Sequence, residues 1–426
     1  VHVGGDPQGS GEGDMAKQTI VAPGAVIAAD ATSVGDGGNV LAWADDHLVQ
    51  AGSISARGGP EGGNGGTVET SSPGSLVATG TVDTGAVAGQ AGQWLLDPKS
   101  VTILYVPGTD EVPIFASDPP ADGTATVSAE SIGKATGDVV IEATEAIVVY
   151  APFSAQNDVF LKARLVNVVS SIASPGTVTI LAKIIKSGDD AVVTANRLNI
   201  ESLAPEGHPT GGDADIKTAV DKLSVGQASS GNTRFEEVVI ANKGNLTVDG
   251  EGDVGVTAGT VQLTVDGTLT LDKPIVTDAD GDAIVLVTDR LINRVGPDAL
   301  TTPNGRSLVY SVNPRNDMTN GIPAKVVYKA SIETTPPETV PDTGNVILYQ
   351  FSGTPEMPEL TEPELNVVTD PIVISPSDLN QSEPVALAAP SPTVFSIPPA
   401  LDETGSQDLL FSNDGNYELW GLSGSQ

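Results

Sequence analysis

The chain has 426 residues and a formal net charge of −35, from 55 Asp and Glu against 20 Lys and Arg. That charge excludes a nucleic-acid partner, because a phosphate backbone would be repelled and no basic or aromatic cluster stands against the repulsion. Aromatic residues make up 4% of the chain beside 48 Gly and 31 Pro, and Cys is absent. One large globular core and thiol chemistry are therefore both ruled out.

From the N-terminus, residues 1–98 read as short strand pairs around Gly or Asp corners. GGDPQGSGEGD opens the region, TIVAPGAVIAADAT and GGNVLAWADDHLVQAGSISARGG follow, and GGNGGTVETSSPGSLVATGTVDTGAVAGQAGQWLLDP closes it at Pro98. Alternation with a period of two puts one side chain in and the next out. Glycines recurring before each alternation supply corners where a strand turns and stacks on its predecessor. Trp43 and Trp94 read as large residues covering an exposed coil or loop. Val1 to Gly13 is polar and Gly-rich, unlike a signal peptide, so the start reads as a processed or excised terminus. In the order GGD, ADAT, WADD, ISARGG, GGNGGTVETS, GTVDT and WLLDP, this region resembles the repeats of filamentous haemagglutinin-like adhesins from Gram-negative two-partner secretion systems.

Residues 99–136 loosen into VPGTDEVPIFASDPPADGT, whose prolines cannot donate to a ladder. They read as a loop or excursion. Across 137–300 a second repeat emerges in VVIEATEAIVV, VFLKARLVNVV, VTILAKIIKS, VVTANRLNIES, ADIKTAVDKLSV, VVIANKGNLTV, VGVTAGTVQLTV and AIVLVTDRLIN. Its copies are spaced by about 20 residues, one coil each. Ala143, Ala163, Ala182, Ala195, Ala241 and Ala258 recur at one phase, as a tight inside corner would require. DADGDAIVLVTDRLINRVGPDALTTPNGRSLVYSVNP, residues 278–314, again resembles the same adhesins at the point where their array stops, with Ser307 in place of their usual Trp. Leu308, Val309 and Tyr310 are expected to close the end of the stack within a terminal coil and cap, 301–352.

Residues 353–426 are rich in Pro, Glu and Ser and read as an extended acidic arm. Leu360, Val367, Val368, Ile372, Val373 and Ile374 are its expected anchors along this or a neighbouring copy. Leu409, Leu410, Phe411, Tyr417, Leu419 and Trp420 then form an assembly or anchoring segment, or a last strand covering an apolar flank.

Catalytic candidates are sparse. His2, His47 and His208 lie far apart with no zinc-ligand spacing, and no GxSxG elbow or GK[ST] phosphate cradle occurs. The acidic triplet Asp278, Asp280 and Asp282, with Asp289 and Arg290 one strand later, resembles the first half of an EF-hand loop. It lacks the bidentate Glu at the twelfth position, where Asp289 stands. It reads either as a Ca2+ site or as an Asp/Gly-rich corner between coils. The same carboxylates are the nearest approach to a polysaccharide-cleaving site.

These readings converge on an all-β chain, a right-handed parallel β-helix (solenoid) with a terminal cap and an extended acidic, Pro-rich C-terminal arm. No run of about 18 apolar residues marks a membrane span. The resemblance implies a non-enzymatic adhesive or matrix-forming protein, secreted to or held at the surface of a Gram-negative bacterium. It also implies an outer-membrane two-partner transporter during export, and a cell-surface glycan or protein as target. The alternatives are a self-assembling filament subunit joined end to end or by arm exchange, and a carbohydrate-active enzyme.

Overall fold

The computed structural model describes residues 1–6, 15–106, 123–203, 212–227, 234–250 and 252–351, together with the backbone of 408–413 and 416–421. The chain divides into two units, 1–357 and 358–426.

Among the described residues of the first unit, 26 strands join one hydrogen-bonded sheet. Val40 pairs in parallel with Val68, 28 residues on, and Val159 with Val178, 19 residues on. The alternation explains why these segments are strands. Asp138–Glu142 buries Val139 and Ile141 and turns Val140 and Glu142 outward. Register then stacks like on like. Val139, Val159, Val178, Leu198 and Leu223 form one inward column, and Ile141, Leu161, Ile180, Ile200 and Val225 the next. All ten are at most 1% exposed, so aliphatic side chains fill the interior without aromatic bulk. Full burial of each contributes about 1.5–3 kcal/mol.

The expectation of an open right-handed β-helix, with separate strand faces meeting at turns, is corrected by the pairing of the long strands. Ala214–Gln227 bonds to Phe235–Lys243 through its first half and to Leu246–Val248 further on. Both of those bond in turn to the 16-residue strand Val256–Leu271. These four parallel strands close on themselves, and the fold is an all-β architecture with one closed four-strand parallel barrel decorated by many extra strands. The physical reason is that 14- and 16-residue strands carry their ladder bonds through the bends instead of stopping at them. Hydrophobic alternation reports which way a side chain points and is blind to whether neighbouring ladders merge.

Within 99–136 the chain forms Ser100–Leu104, Thr124–Ser128 and a short helix, Ala129–Lys134. Thr124–Ser128 lies between Ser75–Ala78 and Ser100–Leu104, so the strand order reverses locally. The small set Val26–Ala28, Ser53–Ser55 and Thr81–Asp83 forms a separate three-stranded sheet.

The glycine corners work chiefly by close approach. Gly38, Gly66 and Gly92 stack, and a Cβ on Gly66 would lie 2.0 Å from the Gly38 carbonyl oxygen, one on Gly92 1.9 Å from that of Gly66. The tryptophans are structural. Trp94 is fully buried and donates to Thr70 Oγ1 at 2.9 Å, so it fills the interior instead of covering a loop. Ala143, Ala163 and Ala182 share the expected tight corner, whereas Ala241 is exposed and pairs with Thr264 in another column.

At the far end Leu308 and Tyr310 join Val285, Ala330, Val340, Val346 and Leu348 in a satellite apolar cluster, while Val309 belongs to the main interior. Tyr310 donates to the Thr335 carbonyl at 2.8 Å, and burial pushes its hydroxyl up to about 12. In the second unit, Asp408–Asn413 and Asn416–Gly421 pair antiparallel, with Leu409 opposite Trp420 and Leu410 opposite Leu419. The arm positions Leu360, Val367, Val368, Ile372, Val373 and Ile374 lie outside the described residues.

Candidate ligand-binding face

Five successive strands, Asp138–Glu142, Val159–Val168, Thr177–Ser187, Val193–Ser202 and Ala214–Gln227, hold their outward side chains in register. Val140, Phe160, Thr179, Asn199 and Ser224 form one column. Glu142, Lys162, Leu181, Glu201 and Gly226 form the next. Neighbouring strands are about 4.8 Å apart, so the face is a regular, half-buried lattice in which Glu142, Lys162, Thr179, Asn199, Glu201 and Ser224 alternate with Val140, Phe160, Leu181 and Gly226. Two depressions open on it.

The first, of about 660 Å3, is lined by Arg197, Asn199, Glu201 and Ser224, with Gly250, Gly252 and Asp253 among the residues opposite. Arg197 donates through both Nη atoms to the Asp249 carboxylate at 2.6 and 2.7 Å, and Lys222 Nζ lies 3.8 Å from the same group. A bidentate pair of this kind holds the guanidinium plane still. The Ser224 hydroxyl donates to Asn199 Oδ1 at 3.0 Å, which leaves the amide nitrogen of Asn199 to donate outward. Glu201 forms no ion pair among the described residues, and burial pushes its carboxyl above the usual range. Its neighbour Gly226 has no side chain, and a Cβ there would meet nothing within 4 Å.

The second, of about 460 Å3, is bounded by Asp97, Glu142, Lys162, Arg164 and Lys183, with Ala143, Thr144 and Leu203. Lys162 donates to Glu142 Oε2 at 2.9 Å, and Arg164 Nη2 stands 3.2 Å from Glu145 Oε2. Lys183 has no ion pair among the described residues. Burial, and then the neighbouring Glu142, pushes the Asp97 carboxyl up against the opposing pull of Lys162. Among the described residues, Lys162, Arg164 and Lys183 are thus matched by Asp97, Glu142 and Glu145 about this depression.

The acidic triplet has other work. Asp278 is ion-paired with Arg234, and its carbonyl accepts from Asn304 Nδ2 at 2.8 Å. Asp282 is ion-paired with Arg306, which also donates to the carbonyls of Pro337 and Val340 at 3.1 Å and to that of Asp342. Asp280 and Asp289 are exposed. Arg290 donates to the Asn316 carbonyl at 2.6 Å. Among the described residues no three His, Asp or Glu are placed to hold a metal ion. Asp278 and Asp282 therefore tie the corner to arginines, one of which belongs to the terminal cap.

His2 contacts Asp6 at 3.1 Å and buried His47 contacts Ser75 Oγ at 2.7 Å, so the two do not meet; His208 lies outside the described residues. Leu409, Leu410, Phe411, Tyr417, Leu419 and Trp420 fall on the antiparallel pair of the second unit. Arg197, Asn199, Glu201 and Lys183 were not singled out by sequence. The signal was there, because Lys162, Leu181 and Glu201 recur one repeat apart at a single outward phase. Outward phase alone does not separate a binding lattice from a solvated surface.

No protein-family model and no curated protein matches this chain. Among the described residues no helix is long and apolar enough to cross a membrane.

Proposed function

We propose that this chain is a stiff display segment of a secreted or surface-held adhesive protein, of the haemagglutinin-like kind that its WADD, VETS and WLLDP motifs resemble. The observation that carries the reading is the registered face from Asp138 to Gly226. Its inward partners are at most 1% exposed in two continuous columns, while its half-buried outward positions stay in register strand after strand and mix polar groups (Glu142, Lys162, Thr179, Asn199, Glu201, Ser224) with Val140, Phe160 and Leu181. A rigid lattice of that kind favours many weak contacts made in parallel, which is how avidity arises from modest sites. The charge of −35 keeps such a molecule dispersed until a matching surface is met. Export through a two-partner transporter belongs to the same reading, which assigns the chain no catalytic step.

The test is attachment under flow. Beads coated with the full chain are expected to hold to epithelial and bacterial cell layers better than albumin-coated beads. Replacing Asn199 and Glu201 together by Ala should lower retention while circular dichroism shows the strand content of the parent. Retention equal to that of albumin beads on every surface would remove the adhesive reading.

A further inference from the structure

Three Asn–Gly pairs occur in the chain, at 64–65, 304–305 and 320–321. Asparagine before glycine is the pair most prone to cyclise, because glycine has no side chain to block the approach of its nitrogen to the asparagine carboxamide. All three asparagines are exposed, so access of solvent does not separate them. Their hydrogen bonds do.

Asn64 is tied down by its neighbours. Its N–H donates to Asp36 Oδ1 at 2.7 Å and its Oδ1 accepts from the Gln90 N–H at 3.0 Å. The Gly65 N–H, which would have to attack, donates to the Gln90 carbonyl at 2.8 Å. Asn304 donates through Nδ2 to the Asp278 carbonyl at 2.8 Å, and Gly305 opens the strand Gly305–Ser311, opposite Gly281. Asn320 and Gly321 differ. Among the described residues neither the Asn320 carboxamide nor the Gly321 N–H has a hydrogen-bond partner. Both have positive φ, +44° and +83°, the usual backbone of an Asn–Gly tight turn. That turn is closed by one bond, from the Ile322 N–H to the Thr319 carbonyl at 3.2 Å. Rotation of the Asn320 backbone into the geometry of attack therefore gives up only that bond.

We propose that Asn320 is a site of spontaneous modification, selected by the fold from the three Asn–Gly pairs, and that its conversion to isoaspartate loosens the terminal cap. The Gly321 nitrogen attacks Asn320 Cγ. The N–Cγ bond forms, the Cγ–Nδ2 bond breaks, and ammonia leaves with the amide proton. Water then opens the five-membered ring at either carbonyl to give aspartate or isoaspartate, and no other reactant is needed. In isoaspartate the main chain is longer by the side-chain methylene. The turn sits where that extension matters. Just before it, the Met318 N–H donates to the Leu291 carbonyl and the Met318 carbonyl accepts from the Asn293 N–H, each at 2.8 Å. The Thr319 carbonyl accepts from Asn293 Nδ2, also at 2.8 Å. Just after it, Ile322 is 8% exposed and belongs to the main interior. A longer backbone between these anchors strains one of them, and with it the strand that follows, Lys325–Tyr328, which pairs with Val346–Tyr349. The inference is independent of the adhesive reading.

The experiment follows all three sites in the full chain by peptide mapping. Mass spectrometry reads the change from amide to acid, and an isoaspartate-specific methyltransferase reads the rearranged product. In mildly alkaline buffer the folded chain is expected to convert Asn320 about tenfold faster than Asn64 or Asn304, the effect of opening one or two hydrogen bonds before attack. In concentrated urea the three should convert at like rates, which shows that the fold sets the order. Asn320→Gln should remove the product at 320 and leave the other two sites as they were. Hydrogen exchange across 318–328 should rise in the isoaspartyl form and stay at the parent's level in Asn320→Asp, which adds the charge without the extension. Equal rates at the three sites in the folded chain, or Asn64 or Asn304 converting first, would overturn the proposal. So would an Asn320 that keeps its amide while the unfolded chain converts. Unchanged exchange in the isoaspartyl form would overturn the link to the cap.

Discussion

Replacing Gly66 by Ala is expected to destabilise the fold, against the ordinary tendency of that change. Gly66 is not in the left-handed region, and Gly→Ala at a compatible position stabilises by about 0.4–1 kcal/mol through the unfolded chain. Here the added methyl would sit 2.0 Å from the Gly38 carbonyl oxygen and 2.6 Å from the Gly37 carbonyl carbon, both backbone atoms that cannot rotate away. Restoring ordinary contact at 3.4 Å needs a retreat of about 1.4 Å. That retreat breaks the hydrogen bond from Thr67 N–H to Gly38 O, now 3.2 Å, and strains the one from Gly66 N–H to Ala56 O, now 2.7 Å. Leaving two backbone groups unpaired costs about 1–3 kcal/mol each, about 2–6 kcal/mol together, of which the unfolded-chain term offsets only about 0.4–1 kcal/mol. Gly226→Ala is the control, since its Cβ meets nothing within 4 Å. Urea denaturation followed by circular dichroism reads both as shifts of the midpoint at constant slope. A Gly66→Ala midpoint at or above the parent's, or an equal drop for Gly226→Ala, would refute the close-approach argument.

Other perturbations follow from the same geometry. Arg306 is 12% exposed and holds Asp282 and three carbonyls, so Arg306→Ala should cost about 3–5 kcal/mol. Hydrogen exchange should rise selectively over 305–349, and uniform protection would count against its role in the cap. Arg197→Ala breaks a bidentate pair whose side chains are 26% and 18% exposed, for a loss of about 1–3 kcal/mol on urea melts. Glu201 has a native pKa raised by burial, so its ionised form opposes folding above that pKa and the penalty vanishes below the unfolded value. Glu201→Gln should therefore raise the melting midpoint at pH 7 and leave it unchanged near pH 3; a fall at pH 7 would reverse the sign. Ca2+ or chelator should leave the melting midpoint unmoved, because Asp278 and Asp282 are held by Arg234 and Arg306.

The strands themselves were legible because each obeys one local rule. In VFLKARLVNVV and VTILAKIIKS a period of two settles which residues face inward, and the structure buries Val159, Leu161, Val178 and Ile180 accordingly. The spacing of the glycines was legible as well, but not its cause, since Gly38, Gly66 and Gly92 come together only when three segments stack. The outward phase of the candidate face was legible, but the pairing of its charges was not, for the same reason. Lys162 and Glu142 meet across 20 residues, and Arg197 and Asp249 across 52. The acidic triplet left two readings open because a row of carboxylates suits a cation or an arginine equally well, and Arg234 and Arg306 are 44 and 24 residues from their partners. Alternation, composition and charge are properties of neighbours along the chain, and they determine strand content, an aliphatic interior and an acidic surface. Closure of four long strands into a barrel, the partner of each charge and the alignment of outward side chains depend on register between distant segments. Hydrogen bonding and packing set that register only once the segments lie side by side.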